Sequence, residues 1–151
     1  MEAPLSPNES ASSLALLFRQ VRDTMWARMA HELAQAGHEL TFSQYITLKK
    51  IAAGTIGATE LARAAELNPG AMTRLIDKLV DRGLVTRVVD PRDRRALHID
   101  LTEQGRTIWG DIDQCGRRVR ERALSGMSDD EQRQLTRLLA QVRDNLSFPG
   151  E

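Results

Sequence analysis

Apolar residues recur along much of this chain at helical spacing. From about Ser12 to Ala36 they fall every three or four residues, which predicts a long helix with one continuous apolar stripe. The stripe consists of Leu14, Leu17, Phe18, Val21, Met25, Met29 and Leu33. Similar spacing predicts shorter helices from Thr41 to about Ala53 and from about Ala58 to Ala65. Thr41 begins the first of these with a capping box, because Gln44 follows three residues later.

A fourth helix is delimited at both ends. Asn68 is a good N-cap, Pro69 suits the first helical position, and the Arg82-Gly83 pair supplies a cationic last turn and a stop. Helical spacing predicts that four residues of this helix face inward: Met72, Leu75, Ile76 and Leu79. The residues predicted to face outward are Thr73, Arg74, Asp77, Lys78 and Asp81.

After the fourth helix the pattern changes to alternation. Val85 and Val89 lead into a charged loop, and beyond it Leu97, Ile99 and Leu101 alternate with polar residues. A period of two predicts a strand with one buried face. The two segments together predict a two-stranded hairpin.

Two further helices are predicted after the hairpin. Thr102 caps a long helix that ends near Leu124, and a second capping box, Ser128 with Glu131, begins the last helix. Their apolar stripes are Ile108, Ile112, Cys115, Val119 and Ala123 in the fifth helix, and Leu135, Leu138, Leu139, Val142 and Leu146 in the sixth. The predicted fold class is therefore mainly α, with six helices and a small two-stranded β hairpin.

This order of elements is typical of a winged helix-turn-helix over residues 58–101, in which the second short helix enters the DNA major groove. Asn68–Arg106 carries eight Lys+Arg against six Asp+Glu, although the whole chain has 21 of each. Four arginines cluster around the hairpin tip: Arg87, Arg92, Arg94 and Arg95. The predicted DNA-binding residues are Asn68, Pro69, Gly70, Ala71, Thr73, Arg74, Lys78, Arg92, Arg94 and Arg95.

The length of 151 residues predicts a single domain over residues 12–146, preceded by a disordered segment over residues 1–11. The terminal helices, 12–36 and 102–146, are long and amphipathic. One small module cannot cover all of their stripes, so we expect them to form the interface of a homodimer.

Composition and motifs argue against other classes of protein. A single cysteine, Cys115, excludes an intrachain disulfide and a cysteine-based zinc cluster. The chain has no apolar run of membrane-spanning length and no signal peptide, which favours the cytoplasm. His31-Glu32 lacks the second histidine of a zinc-protease motif, and no phosphate loop or nucleophile elbow is present. We therefore expect no catalytic residues, no metal, no cofactor and no membrane.

The ordered set of motifs resembles the MarR family of bacterial transcription regulators. The resemblance covers roughly residues 12 to 146. It rests on Glu60-Leu61-Ala62, Thr73-Arg74-Leu75, Leu79, Arg82-Gly83-Leu84-Val85, Asp93-Arg94-Arg95 and Leu101-Thr102-Glu103-Gln104-Gly105. It implies a homodimer joined by its terminal helices, which binds a pseudo-palindromic operator as a ligand-responsive repressor. It also implies that Arg95 enters the minor groove and that Arg94 contacts phosphate.

In similar proteins a small-molecule pocket lies between the DNA-reading module and the dimerisation helices. Pockets of this kind are mostly apolar with a few polar groups. The candidate lining residues are Phe18, Arg22, Trp26, Met29, His31 and Tyr45. The expected effector is a small planar aromatic or phenolic molecule, with Arg22, Arg28 or His31 as partners for an anionic group.

Two alternatives stay open at this point. The regulator could respond to oxidants through Cys115, which has Arg118 nearby in sequence, although its place in an apolar stripe favours a packed residue. Peroxide-sensing members of the family carry their reactive cysteine in the first helix, where this chain has none. Alternatively, the winged helix could act only through protein partners, which would suit an uncharged hairpin tip better than an arginine-rich one.

Overall fold

The computed structural model describes residues 7–54, 56–90, 92–93 and 97–150. These residues form six helices and a three-stranded sheet, which confirms the mainly α fold class. The elements are α1 (Pro7–Gln35), α2 (Phe42–Ala53), β1 (Ile56–Gly57), α3 (Ala58–Ala64), α4 (Pro69–Asp81), β2 (Val85–Val89), β3 (Leu97–Leu101), α5 (Glu103–Ala123) and α6 (Asp129–Leu146). None of the described helices is long and apolar enough to cross a membrane.

Local sequence signals place most helix starts correctly. Thr41 and Ser128 each form both hydrogen bonds of a capping box, and the Asn68 side chain accepts from the Ala71 N–H. The first helix is the exception, since α1 begins at Pro7 rather than near Ser12. Residues 7–11 of the segment predicted to be disordered are therefore helical, and residues 1–6 lie outside the described residues.

The sheet contains one strand more than the sequence predicted. Its order is β1-β3-β2, with both pairs antiparallel, and β1 pairs Ile56 with Ile99. The predicted hairpin is present, with Val85 opposite Leu101 and Val89 opposite Leu97. A strand of two residues is too short to show alternation, which explains why β1 was missed.

The core lies where α2, α3, α4, α5 and the sheet meet. All four residues of α4 predicted to face inward are buried, as are Leu61, Leu84, Val85, Ile99 and Ile112. The long stripe of α1 is buried only at Met29 and Leu33, while its part from Leu14 to Met25 is exposed. No residue of α6 is buried.

The beginning of α5 is fastened to the turn between α4 and β2. The Thr102 N–H donates to the Leu84 carbonyl at 3.1 Å, and the Thr102 hydroxyl donates to the Gly83 carbonyl at 2.6 Å. The same hydroxyl accepts from the Gly105 N–H at 2.9 Å. A Cβ at Gly105 would lie 2.0 Å from the Leu84 oxygen, so only glycine allows this close packing. Helices α4 and α5 are thereby linked over a very short path.

Candidate nucleic-acid interface and an adjoining cleft

The N-terminal end of α4 is an open, polar surface. Asn68, Pro69 and Gly70 are exposed, and Ala71 is half-buried. The Asn68 Oδ1 atom accepts from the Ala71 N–H at 2.8 Å, which fixes where the helix begins. The positive end of the helix dipole therefore faces solvent beside small side chains, an arrangement that suits the approach of a phosphate.

Thr73, Arg74 and Lys78 continue this surface along the exposed face of α4. The Thr73 hydroxyl donates to the Pro69 carbonyl at 2.9 Å, and its oxygen remains able to accept a hydrogen bond. The Arg74 guanidinium lies near the first turn, because a Cβ at Gly70 would be 3.6 Å from its Nη1 atom. These predicted residues do share one face, with donors of the kind that contact base edges and phosphates.

An ion pair joins this face to the wing, the hairpin formed by β2 and β3. The Arg87 guanidinium donates to the Asp77 carboxylate, which is on the outward face of α4. Arg87 lies in the middle of β2, opposite Ile99, and the prediction that it clusters at the hairpin tip is therefore wrong. Through this ion pair Arg87 neutralises a carboxylate on the face of α4 that carries Arg74 and Lys78.

The structure describes only part of the hairpin tip. The Asp90 side chain accepts from the Arg92 N–H at 2.8 Å and lies 3.6 Å from the His98 Nε2 atom. Arg92 is exposed beyond this turn. Arg94 and Arg95 lie outside the described residues, so their predicted DNA contacts stay predictions.

A cleft of about 530 Å³ lies between α1, α2 and α5. Three aromatic contacts shape it: Trp26 meets Phe42 edge to face at 5.2 Å between centroids, Tyr45 lies 6.0 Å from Trp26, and Trp109 stacks on Tyr45 at 6.2 Å. We call it the α5 cleft. Its lining residues are Arg22, Met25, Trp26, Met29, Phe42, Tyr45, Lys49, Trp109, Asp113, Gly116, Arg117, Val119 and Arg120.

Four of the six predicted pocket residues line the α5 cleft, and two do not. Arg22, Trp26, Met29 and Tyr45 come together there. Phe18 lies further along α1 and is absent from the lining, and His31 lines a separate cleft with Thr24, Ala27 and Arg28. Phe18 lies too far towards the N-terminus of α1 to reach the cleft. Helical geometry explains the case of His31, which is two residues from Met29 and five from Trp26 and so points to another side of the helix. His31 and Arg28 are therefore not the charged groups of this cleft.

The α5 cleft carries more positive than negative side chains. Its cations are Arg22, Lys49, Arg117 and Arg120, while Asp113 is its carboxylate and is paired with Arg117 at 3.3 Å. Burial, followed by the charge of Asp113, raises the pKa of the Tyr45 phenol, so this hydroxyl remains a hydrogen-bond donor at neutral pH. The cleft thus offers aromatic walls, a neutral phenol and excess positive charge.

Comparison with known proteins agrees with this geometry. The MarR family model matches residues 40–97. A mutant of Escherichia coli MarR complexed with operator DNA is 26% identical to this chain, with a TM-score of 0.73 over 91% of this chain and 99% of the other. A probable transcriptional regulator from Pseudomonas aeruginosa is 27% identical, with a TM-score of 0.69 over 85% of this chain and 96% of the other. A MarR family protein from Bacillus stearothermophilus is 23% identical, with a TM-score of 0.78 over 94% and 99%.

The chain is therefore similar to MarR-family transcription regulators, and α3, α4 and the β2–β3 hairpin form a winged helix-turn-helix of their type. The matched segment runs from α2 to the start of β3 and includes the whole of α4.

The part of the cleft that sequence reasoning missed comes mainly from α5. Trp109, Asp113, Gly116 and Arg120 are spaced by four, three and four residues and so share one helical face. That spacing was available in the sequence, but the neighbouring apolar stripe through Ile112, Cys115 and Val119 was the stronger pattern. Lys49 and Phe42 of α2 gave no comparable signal.

Cys115 is fully buried. Burial raises the pKa of its thiol, against the opposing effect of the neighbouring Arg118 guanidinium, whose Nη2 atom lies 3.4 Å from the sulfur. Arg118 also donates to Glu32 at 2.9 Å. A protonated thiol packed in the core reacts slowly with oxidants, so this geometry gives the redox alternative no support.

Proposed function

We propose that this chain is a MarR-family regulator, which binds a pseudo-palindromic operator in duplex DNA as a homodimer and acts there as a repressor. The observation that carries the proposal is the exposed face of α4, where Thr73, Arg74 and Lys78 lie beside an open helix start and the Asp77 carboxylate is neutralised. A related E. coli MarR protein is known in complex with operator DNA. Operator binding also places the protein in the cytoplasm, with the bacterial chromosome.

The proposed DNA contacts divide by chemistry. Thr73 and Arg74 reach base edges in the major groove, because they lie near the start of α4. The remaining contacts go to phosphates or to the minor groove, and their residues are Asn68, Pro69, Gly70, Ala71, Lys78, Arg92, Arg94 and Arg95. Such contacts set the position of the protein on DNA and make binding dependent on salt.

The proposed effector is a small aromatic anion, held in the α5 cleft. Its ring packs between Trp26, Tyr45 and Trp109. Its acidic group is bound by the cations of the cleft that are not paired with Asp113. Because Thr102 fastens α5 to the end of α4, a ligand that displaces α5 also displaces the helix that reads DNA. Titration of aromatic carboxylates into the protein–operator complex tests this part of the proposal, and the operator should weaken ligand binding by the same factor.

The DNA-binding proposal is tested first by sequencing the genomic DNA that the purified protein retains. In the operator found this way, Arg74→Ala should cost about 1–3 kcal/mol of binding free energy and relax the base preference. Arg137→Ala, on the exposed face of α6, is the matched control and should change neither. Equal affinities for the two variants, or retention of no defined sequence, would contradict the assignment of α4 as the reading helix.

A further inference from the structure

A second cleft lies against the turn of the helix-turn-helix. Its volume is about 610 Å³, and its walls come from α1, from α2 and from the end of α3. We call it the turn cleft. It is lined by Arg22, Asp23, Trp26, Phe42, Ile46, Ala64, Ala65 and Glu66. Arg22, Trp26 and Phe42 also line the α5 cleft, so the edge-to-face pair of Trp26 and Phe42 forms a wall common to both.

The charges of the turn cleft differ from those of the α5 cleft. Asp23 pairs with Arg22 at 3.3 Å, so these two lining residues cancel in charge, and Asp23 also lies 3.8 Å from Arg19 outside the lining. Within the described part of the chain, Glu66 forms no ion pair, and its side chain is exposed at the rim. The cleft therefore offers an aromatic wall, an apolar floor and a carboxylate that is available to a ligand.

Glu66 lies at the turn that ends α3. Its φ of 56° is in the left-handed region, which residues other than glycine and asparagine seldom adopt. The Glu66 N–H donates to the Arg63 carbonyl at 3.2 Å and the Leu67 N–H donates to the Ala62 carbonyl at 2.9 Å, which closes the end of α3. A glutamate therefore occupies, at the rim of an aromatic cleft, a turn position that usually favours glycine.

We propose that the turn cleft is a binding site for an organic cation, such as an aromatic or alkylated ammonium compound. The cationic group lies against the face of Trp26 and within reach of the Glu66 carboxylate, a combination that selects quaternary and protonated amines. The apolar part of the ligand packs on Phe42 and Ile46. This site goes beyond the proposed function, since its ligand has the opposite charge to the effector of the α5 cleft.

The position of the turn cleft gives its occupant a route to DNA binding. A ligand there contacts α1, α2 and the turn that leads into α4 at the same time. Because Trp26 and Phe42 belong to both clefts, movement of this wall by one ligand alters the site of the other. The cation and the aromatic anion should therefore change each other's affinity by an equal factor.

Calorimetric titration of the full-length protein with benzyltrimethylammonium tests the proposal, with benzyl alcohol as the neutral probe and benzoate as the anionic one. The cation should bind more tightly than benzyl alcohol. Glu66→Gln should weaken cation binding roughly three- to tenfold and leave benzoate binding unchanged. Glu60→Gln removes an exposed carboxylate in the first turn of α3, outside the cleft, and should change neither.

Two further variants separate the clefts. Ala64→Met fills the turn cleft and should weaken binding of the cation, whereas Gly116→Met fills the α5 cleft and should weaken binding of benzoate. Three outcomes would overturn the proposal. Glu66→Gln and Glu60→Gln could have equal effects, the cation and benzyl alcohol could bind with equal affinity, or cation binding could be lost only in Gly116→Met.

Glu66→Asn, which suits a positive φ, repeats the charge test if the glutamine variant unfolds. Operator affinity is measured separately, so failure of DNA binding would not be mistaken for failure of this site.

Discussion

The ion pair between Asp77 and Arg87 neutralises one of the negative charges on the exposed face of α4. Asp77 faces outward one turn beyond Arg74 and beside Lys78, where a free carboxylate would repel the phosphates of DNA. Arg87 comes from β2 and neutralises it. Both side chains are partly exposed, so the pair should contribute little to folding. Its main effect should therefore be on DNA binding.

Arg87→Ala should weaken operator binding by roughly tenfold, because it uncovers the Asp77 carboxylate. Asp77→Asn in the same protein should restore most of that affinity, since it removes the repulsion. The free energy of unfolding should change by less than about 1 kcal/mol in both variants. Operator titrations and urea unfolding measure the two effects, and Arg106→Ala, which breaks the ion pair with Asp100, is the control. Failure of Asp77→Asn to recover affinity would show that Arg87 itself contacts DNA.

Single residues show where sequence reasoning succeeds and where it stops. The inward and outward residues of α4 follow from a period of 3.6, and the four predicted inward residues are buried. The pairing of Asp77 with Arg87 does not follow from it, because it depends on the register of a hairpin ten residues away. The contribution of α5 to the α5 cleft could not be predicted for the same reason, since Trp109 and Tyr45 meet only after α2 and α5 pack.

At the scale of whole elements, the first turn of α5 packs directly against the backbone of the α4–β2 turn. Gly105→Ala would place a methyl group 2.0 Å from the Leu84 oxygen, and backbone cannot yield as a flexible side chain does. We expect it to destabilise the fold by about 1–3 kcal/mol or more. Operator affinity should fall as well, because α5 would move relative to α4.

Gly110→Ala is a matched control in the same helix. Its added Cβ meets nothing within 4 Å, and alanine favours helix over glycine by about 1 kcal/mol, so this variant should be slightly more stable than the parent. Thermal or urea unfolding of the two variants tests the contrast. Equal stabilities would show that the clamp formed by Thr102 and Gly105 does not hold α5 in place.

Helix starts marked by neighbouring residues could be predicted from the sequence. Elements that form only through pairing with a distant segment of the chain could not. The caps at Thr41, Asn68 and Ser128 each lie at the predicted position, because capping involves residues two or three apart. Strand β1 exists only through its pairing with β3, so no local pattern marks it. The start of α1 at Pro7 was likewise missed, since Pro, Ser and Glu are compatible with the first turns of a helix as well as with disorder.

At the scale of the whole molecule, the apolar face of α6 is not covered by the rest of the described chain. It has 18 residues, none of them buried, and Leu138 and Leu139 are each 44% exposed. The first half of α1 leaves Leu14, Leu17 and Val21 similarly open. A helix in water is only marginally stable without a partner for its apolar face, so we expect a second chain to cover these surfaces.

We therefore expect a stable homodimer in which α1, α5 and α6 of two chains cover one another. Two-fold symmetry would set the α4 helices about 34–36 Å apart, as successive major grooves require. Sedimentation velocity at micromolar concentration should show a species of twice the 16.9 kDa chain mass. Leu138→Glu with Leu139→Glu should yield monomers with much weaker operator binding, because each half-site contact must then form alone.

Gln141→Glu, which adds a charge to an exposed position of α6 without removing apolar surface, should remain dimeric. A parent protein that sediments as a monomer would contradict this assembly and the reading of a pseudo-palindrome that depends on it.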